Sequence, residues 1–233
     1  MATDDNVNTA NDLEKARARA RKVDTTSDAM FLVDATVRHS VYVQRFAKGQ
    51  ARDVLPFVAK AREEAVRRLK KEDLTTITRK GLKKLEKDLR TLVNDVYQLM
   101  GVEVKNHMQE FGEYEADFNN RLLNKVSAVK MKDVKPKTVE NLITNTSMSV
   151  KGPDNRGKTV AGALNEFSRR KAAQIVRTVR DAHRDGDDTE EAIKKVSHVT
   201  TVLAALGAVA LVKTIVNHTA SMGVKASVRT NKA

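Results

Sequence analysis
The residues Gly152-Pro-Asp-Asn-Arg-Gly157-Lys158-Thr159 have the spacing of a phosphate-binding loop. In such a loop, backbone N–H groups cradle phosphates, the lysine reaches the terminal phosphates, and the Ser/Thr hydroxyl holds magnesium. Three features of this sequence argue against that chemistry. The residues after Thr159 pattern as helix, so no parallel sheet can be assembled behind the loop. No apolar strand ending in Asp follows to complete a magnesium site; Phe31-Leu-Val-Asp34 lies far upstream in a helical pattern. Pro153 removes one of the N–H donors. A Gly-rich loop ahead of a helix is the preferred reading, and no cofactor is expected.

The remaining chemistry-bearing residues are scattered. His39, His107, His183, His198 and His218 form no H-E-x-x-H pattern and lie at no ligand spacing with a carboxylate. Each reads as a surface or helix-end residue, and no metal is expected. The chain has no cysteine, which excludes disulfides, thiolate metal sites and a thiol nucleophile. No G-x-S-x-G elbow occurs. Glu113 and Glu115 flank Tyr114, but residues two apart on a helix do not face each other, so they make a poor acid/base pair. The turn at Asp185-Gly186-Asp187 resembles a helix-turn-helix only loosely, because Asp188, Glu190 and Glu191 would meet DNA phosphates. No catalytic residue is assigned, and the expectation is a protein that is not an enzyme.

Charge points elsewhere. Forty-three Lys and Arg against 30 Asp and Glu give a net charge of +13. A field of that sign attracts DNA, RNA or an anionic membrane surface. Lys15, Arg17, Arg19, Arg21 and Lys22 form a basic arm, and beyond Glu191 no acidic residue occurs while Lys213, Lys225, Arg229 and Lys232 follow. These nine are the candidate nucleic-acid-binding residues. The polar, acidic start (Asp4, Asp5, Asp12) lacks a signal-peptide pattern. The apolar run from Val199 to Val212 spans 14 residues, read as too short to cross a bilayer and as a buried core helix.

The elements that must carry these residues read as helices. Residues 1–26 are a disordered basic arm. Residues 27–130 form a helical bundle: a helix from Asp28 to Lys48 ended by Gly49, a second from near Asp53 with Pro56 in its first turn, and one long helix. That helix carries an a/d seam of Leu82, Leu85, Leu89, Leu92, Val96 and Leu99, with breaks considered at Gly101 or Gly112. Residues 131–158 read as an irregular loop or linker, with Leu142 to Val150 as a short extended segment. Residues 159–233 form a smaller helical C-terminal domain, with a helix from Val160 to Arg184, a cap at Gly186, a new N-cap at Asp188, and a break at Gly207. The fold class is therefore mostly α: an elongated helical bundle built on a long central helix.

Three stretches in order resemble the phage head-morphogenesis family, the Mu-type minor head proteins. Val37-Arg-His-Ser-Val-Tyr-Val-Gln-Arg45-Phe-Ala-Lys-Gly49 is similar to the family's R-H-x-V-x-x-Q-R-x-x-x-G helix. Glu110-Phe-Gly-Glu-Tyr-Glu-Ala-Asp-Phe118 resembles its E-Y-E-A-x-F segment. Gly186, Glu190 to Val196, and Ala210-Leu-Val-Lys-Thr214-Ile-Val-Asn217-His218-Thr-Ala220 look like its G-x-S-x-x-E-I followed by A-x-x-I-V-x-T-x-x-N-x-A. The resemblance implies a minor virion head protein inside the capsid near the portal, present in few copies, which aids head assembly or DNA delivery. It implies the portal or other head proteins as partners and time in the host cytoplasm during assembly; the basic residues, spread over several segments with no base-reading helix, predict sequence-independent contact with double-stranded DNA, and homo-oligomers are left open. An internal ejection protein that leaves with the genome and meets a host membrane is one alternative. A sequence-independent DNA-binding protein of a cell is another.

Overall fold
The structure is a computed structural model that describes residues 25–127, 130–148 and 157–231. Its elements are α1 (Thr25–Asp53), α2 (Leu55–Leu69), α3 (Arg79–Val126), α4 (Pro136–Asn145), α5 (Val160–Asp185), α6 (Thr189–His198), a π-helical turn (Val199–Leu203) and α7 (Ala204–Thr230). No β-strand occurs among the described residues, and the expected mostly α bundle with a long central helix is what forms.

Helix boundaries follow local chemistry at most ends. Proline sits in the first turn of α2 and of α4, where its missing N–H costs nothing. The Thr78 hydroxyl accepts from Gly81 N (3.1 Å) to start α3, and the Thr159 hydroxyl accepts from Gly162 N (3.2 Å) to start α5. Gly186, at φ 78°, ends α5 in the left-handed conformation that favours glycine. Two residues later the Asp188 carboxylate caps α6 through Glu191 N at 2.8 Å.

At 48 residues, α3 is about 72 Å long at 1.5 Å per residue, and the other long helices lie along it. α5 runs antiparallel to its first half, through Glu86 with Arg180, Asn94 with Ser168, and Gln98 with Asn165. α1 runs antiparallel to its second half, through Gln50 with His107 and His39 with Glu115. α7 follows that half in the same direction, with Gly223 against Glu115 and Ser227 bonded to Asn120. One apolar core includes residues from every helix from α1 to α7. The two halves expected on either side of 131–158 therefore share a core.

Several expected boundaries move, each for a physical reason. α1 continues through Gly49 to Asp53, because Ala47, Gln50 and Ala51 bury against the bundle. Their burial outweighs the roughly 1 kcal/mol penalty of an interior glycine. α3 passes unbroken through Gly101 and Gly112. Gly112 is a close-approach site: a Cβ there would stand 2.5 Å from Ile143 Cδ1 and 2.9 Å from Val139 Cγ1. Those two residues belong to α4, which forms where an irregular loop was expected. Val139, Leu142 and Ile143 bury one face of it, so Leu142 lies in a helix and not in an extended segment; the end of that expected segment, Ser149 and Val150, lies outside the described residues.

Gly207 does not break α7. The irregularity comes earlier, at the π-turn, where the Thr200 hydroxyl bonds Val196 O (2.8 Å) and the Thr201 hydroxyl bonds Ser197 O (2.8 Å). The buried row Ala192, Val196, Thr200, Ala204, Ala208, Val212 steps by four, longer than the 3.6 of a regular helix. A wide turn absorbs part of that excess and keeps the row facing the core. The apolar run is thus part of one continuous helix, Thr189–Thr230, long and apolar enough to cross a membrane by length and composition. This corrects the reading of it as too short. In the bundle, 38% of its most apolar stretch is buried.

The seam is half right. Leu85, Leu89 and Val96 are buried and Leu82 packs against the core, but Leu92 is only partly buried and Leu99 is 56% exposed. The buried stripe instead continues through Val93, Tyr97, Met100, Val104 and Met108. A strict seven-residue repeat falls about 20° behind a straight helix per heptad. α3 does not supercoil around a single partner, so by the third heptad Met100 has replaced Leu99 on the inner face. In urea denaturation, Leu89→Ala is expected to cost about 2–5 kcal/mol, and Leu99→Ala no more than about 0.5 kcal/mol. Equal losses would mean that the strict heptad seam is the true core.

Candidate functional site
The first four turns of α3 read Arg79-Lys-Gly-Leu-Lys-Lys-Leu-Glu-Lys-Asp-Leu-Arg90. Leu82, Leu85 and Leu89 turn inward, which leaves Arg79, Lys80, Lys83, Lys84, Lys87 and Arg90 exposed on the outer face. None of the six is in an ion pair among the described residues. The two carboxylates of this stretch are held sideways by other helices. Asp88 accepts from Arg68 of α2 (2.9 and 3.1 Å), which also holds Glu72 at 2.7 Å. Glu86 accepts two hydrogen bonds from Arg180 of α5 (2.6 and 2.8 Å). Its carboxyl titrates below the ordinary value, chiefly through that Arg180 hydrogen bond, against some burial, with Arg90 and Lys83 adding to the pull.

Exposed Arg67, Lys70 and Lys71 at the end of α2 extend the positive surface on one side, and Arg177 of α5 extends it on the other. Between α2 and α3 lies a cleft of about 400 Å³ lined by Arg67, Lys71, Lys87 and Thr91 among others. A line of unpaired cations along one rod-like face can neutralise successive phosphates of a polyanion, and nothing in it resembles a base-reading helix.

The residues singled out in the sequence fall differently. Lys213, Lys225 and Arg229 are exposed on α7. Lys225 and Arg229 are one turn apart, while Lys213 stands about three turns away on another side of the helix, so the three make no single patch. Lys15, Arg17, Arg19, Arg21, Lys22 and Lys232 lie outside the described residues, as do Gly152 to Arg156 of the phosphate-loop pattern. The described end of that pattern is engaged elsewhere. Lys158 pairs with Glu166, which also holds Arg170, and Thr159 caps α5.

His198 is exposed at the end of α6 and His183 stands in the last turn of α5, as expected, whereas His39, His107 and His218 are partly buried in mid-helix. His183 Nδ1 lies 3.0 Å from the Leu74 carbonyl and ties the end of α5 to the turn before α3. His107 Nδ1 lies 2.7 Å from Gln50 Oε1. His218 is partly buried, and burial is the main reason it titrates below its ordinary value. His39 Nε2 lies 2.8 Å from Glu115 Oε2, and its ring stacks on Phe118 with centroids 3.8 Å apart. Tyr42, Phe46, Phe111 and Tyr114 complete an aromatic cluster between α1 and α3. The Tyr42 hydroxyl is pushed up by burial, with Tyr114 and Glu115 adding to it.

Glu115 is 1% exposed, and its Oε1 has no hydrogen-bond partner among the described residues. Burial raises its carboxyl above the ordinary value despite the hydrogen bond from His39. Glu113 points away and bonds Gln109, so the two glutamates do not act as a pair. Among the described residues no three His, Asp or Glu gather to hold a metal. The His39–Glu115 pair fastens α1 to α3.

Comparison with known protein families, curated proteins and solved structures finds no match to this chain.

The raised Glu115 carboxyl sets a pH dependence. A group raised in the fold contributes stability that is fully present below its unfolded value, here near 4.5, and that is lost as pH rises through the folded value. Glu115→Gln is therefore expected to melt above the native chain at pH 7–8, with the gap closing as pH falls toward about 4. Thermal melts across that range check it; a variant that melts lower at neutral pH would mean the ionised pair with His39 is net stabilising.

Proposed function
We propose that this chain is a minor virion head protein of a tailed phage. It resides inside the capsid near the portal, contacts packaged double-stranded DNA without reading its sequence, and passes through the host cytoplasm during assembly. The observation that carries the DNA contact is the outer face of α3, where six cations with no ion pair among the described residues lie within four turns while both neighbouring carboxylates are taken up by Arg68 and Arg180. The virion assignment is supported by the three family-like stretches, which meet in space. His39 of the first is bonded to Glu115 of the second, and Thr219 of the third sits against Gly112 of the second. In this reading the chain is a scaffold and not an enzyme. The engagement of Lys158 with Glu166 and of Thr159 as a helix cap supports that.

One observation favours a second reading, an internal protein ejected with the genome: the helix Thr189–Thr230 is long and apolar enough to meet a host membrane. A mass-spectrometric inventory of full and spent virions separates the possibilities. Presence in both supports a structural head protein, loss from spent particles supports ejection, and absence from both leaves a cellular DNA-binding protein.

Counterion release makes the DNA contact measurable. Engagement of about four to six phosphates lowers affinity by roughly two to three orders of magnitude between 50 and 200 mM salt. The triple change Lys80→Ala, Lys84→Ala, Lys87→Ala is expected to weaken binding to unrelated duplexes equally and to flatten the log–log salt slope by about 2–3. Anisotropy titrations read both. An unchanged slope would remove α3 from the contact, and a strong preference for one duplex would refute sequence-independent binding.

A further inference from the structure
α1 is apolar on two opposite faces. Its inner face, with Phe46 and Val43, packs against the bundle. Its outer face carries Met30, Val33, Val37 and Val41, which are 70%, 64%, 58% and 43% exposed. The steps of three and four put these four on one stripe, and from Met30 to Val41 no charge interrupts it. The other exposed large apolar residues on α2, α3 and α7 are spread over several helices. A contiguous exposed apolar stripe rimmed by polar residues marks an interaction surface.

We propose that a second copy of this chain covers the stripe, with the two α1 helices packed antiparallel about Val37. The charges on the rim favour this occupant and this direction. Asp34 and Arg38, paired within the helix at 2.9 Å and both largely exposed, lie along the same edge of the stripe. In antiparallel packing about a two-fold axis, like edges face each other. With Val37 on the axis, Val33 meets Val41 across the interface, and Asp34 of one copy lies about 3 Å along the axis from Arg38 of the other, twice; the two Arg38 are offset by the same distance, each held by its own Asp34. Parallel packing would set Asp34 and Arg38 against the edge holding Ser40 and Gln44, which carries no charge. The stripe is thus complementary to itself in apolar content and in charge, as an isologous interface requires.

The chain has no cysteine, so single cysteines report the geometry directly. Full-length Val37→Cys is expected to form a disulfide-linked dimer under mild oxidation, and Val33→Cys mixed with Val41→Cys a mixed dimer. Met30→Cys alone is expected to stay monomeric, since its copies would be about 21 Å apart along the axis at 1.5 Å per residue. In sedimentation, Val37→Asp is expected to weaken self-association at least about tenfold by placing a charge in the apolar centre, with an unchanged melt at dilutions where both chains are monomeric, because the site is then exposed in each. Cross-linking of Met30→Cys as efficient as that of Val37→Cys would overturn the antiparallel arrangement. A Val37→Cys chain that is monomeric at all concentrations and whose introduced thiol resists a thiol reagent would overturn the proposal in favour of cover by the chain itself. So would a monomer that floats with anionic vesicles and loses that property in Val37→Asp, in favour of a membrane surface.

Discussion
The bundle depends on the close crossing of α3 and α7 at Gly112 and Gly223. A side chain at Gly223 would collide with Glu115 Cβ and stand 2.9 Å from the Gly112 carbonyl oxygen. The α7 backbone can approach α3 this closely only because Gly223 lacks a Cβ, while the missing Cβ of Gly112 leaves room for α4. The short α4 reaches α3 at the same level, with Val139 and Ile143 over Gly112. From α1, His39 reaches Glu115 while its ring stacks on Phe118 of α3. α4, α7 and α1 thus meet α3 within the same turn, at Gly112 and Glu115.

The Gly223 contact also accounts for the buried carboxylate. With Gly223 against its Cβ, Glu115 has no path to solvent on the α7 side, and its charge must be met by His39 from α1. The pair is costly in isolation, since an ionised carboxylate with one unbonded oxygen is a poor core residue. Its effect is to set the position of α1, a helix whose other attachments are mostly aromatic stacking and small side chains.

How much of this was legible follows from the range of the forces involved. Gly186 and Asp188 were readable because a C-cap and an N-cap are local chemistry, complete within four residues. The inner face of α3 was readable as far as Val96 because Leu85 and Leu89 fit both a 3.5 and a 3.6 period; only a longer span separates the two, and there Leu99 turned outward. Gly49 and Gly207 were misread for the opposite reason, since burial by partners distant in sequence overrode a local preference. α4 escaped notice because ten residues behind a proline carry few apolar positions. The basic face of α3 was hidden by Glu86 and Asp88, which interrupt the cations in the sequence. Arg180 and Arg68, which neutralise them, lie 94 and 20 residues away. The signal that was present, a cation at nearly every polar position from Arg79 to Arg90, is visible once those two acids are set aside.

The location of those cations has a thermodynamic side. They occupy the amino-terminal turns of α3, whose first turn contains no acidic residue, and a helix amino terminus already carries about half a positive charge from its aligned peptide dipoles. Like charges are thus crowded where an anion would be favoured, and the unliganded helix bears that repulsion alone. An anionic strand laid along the face would relieve it while being bound. By linkage, anything that binds the folded form and not the unfolded one raises the melting temperature. The end of the rod that is electrostatically least comfortable when free is then the end that a bound polyanion would consolidate.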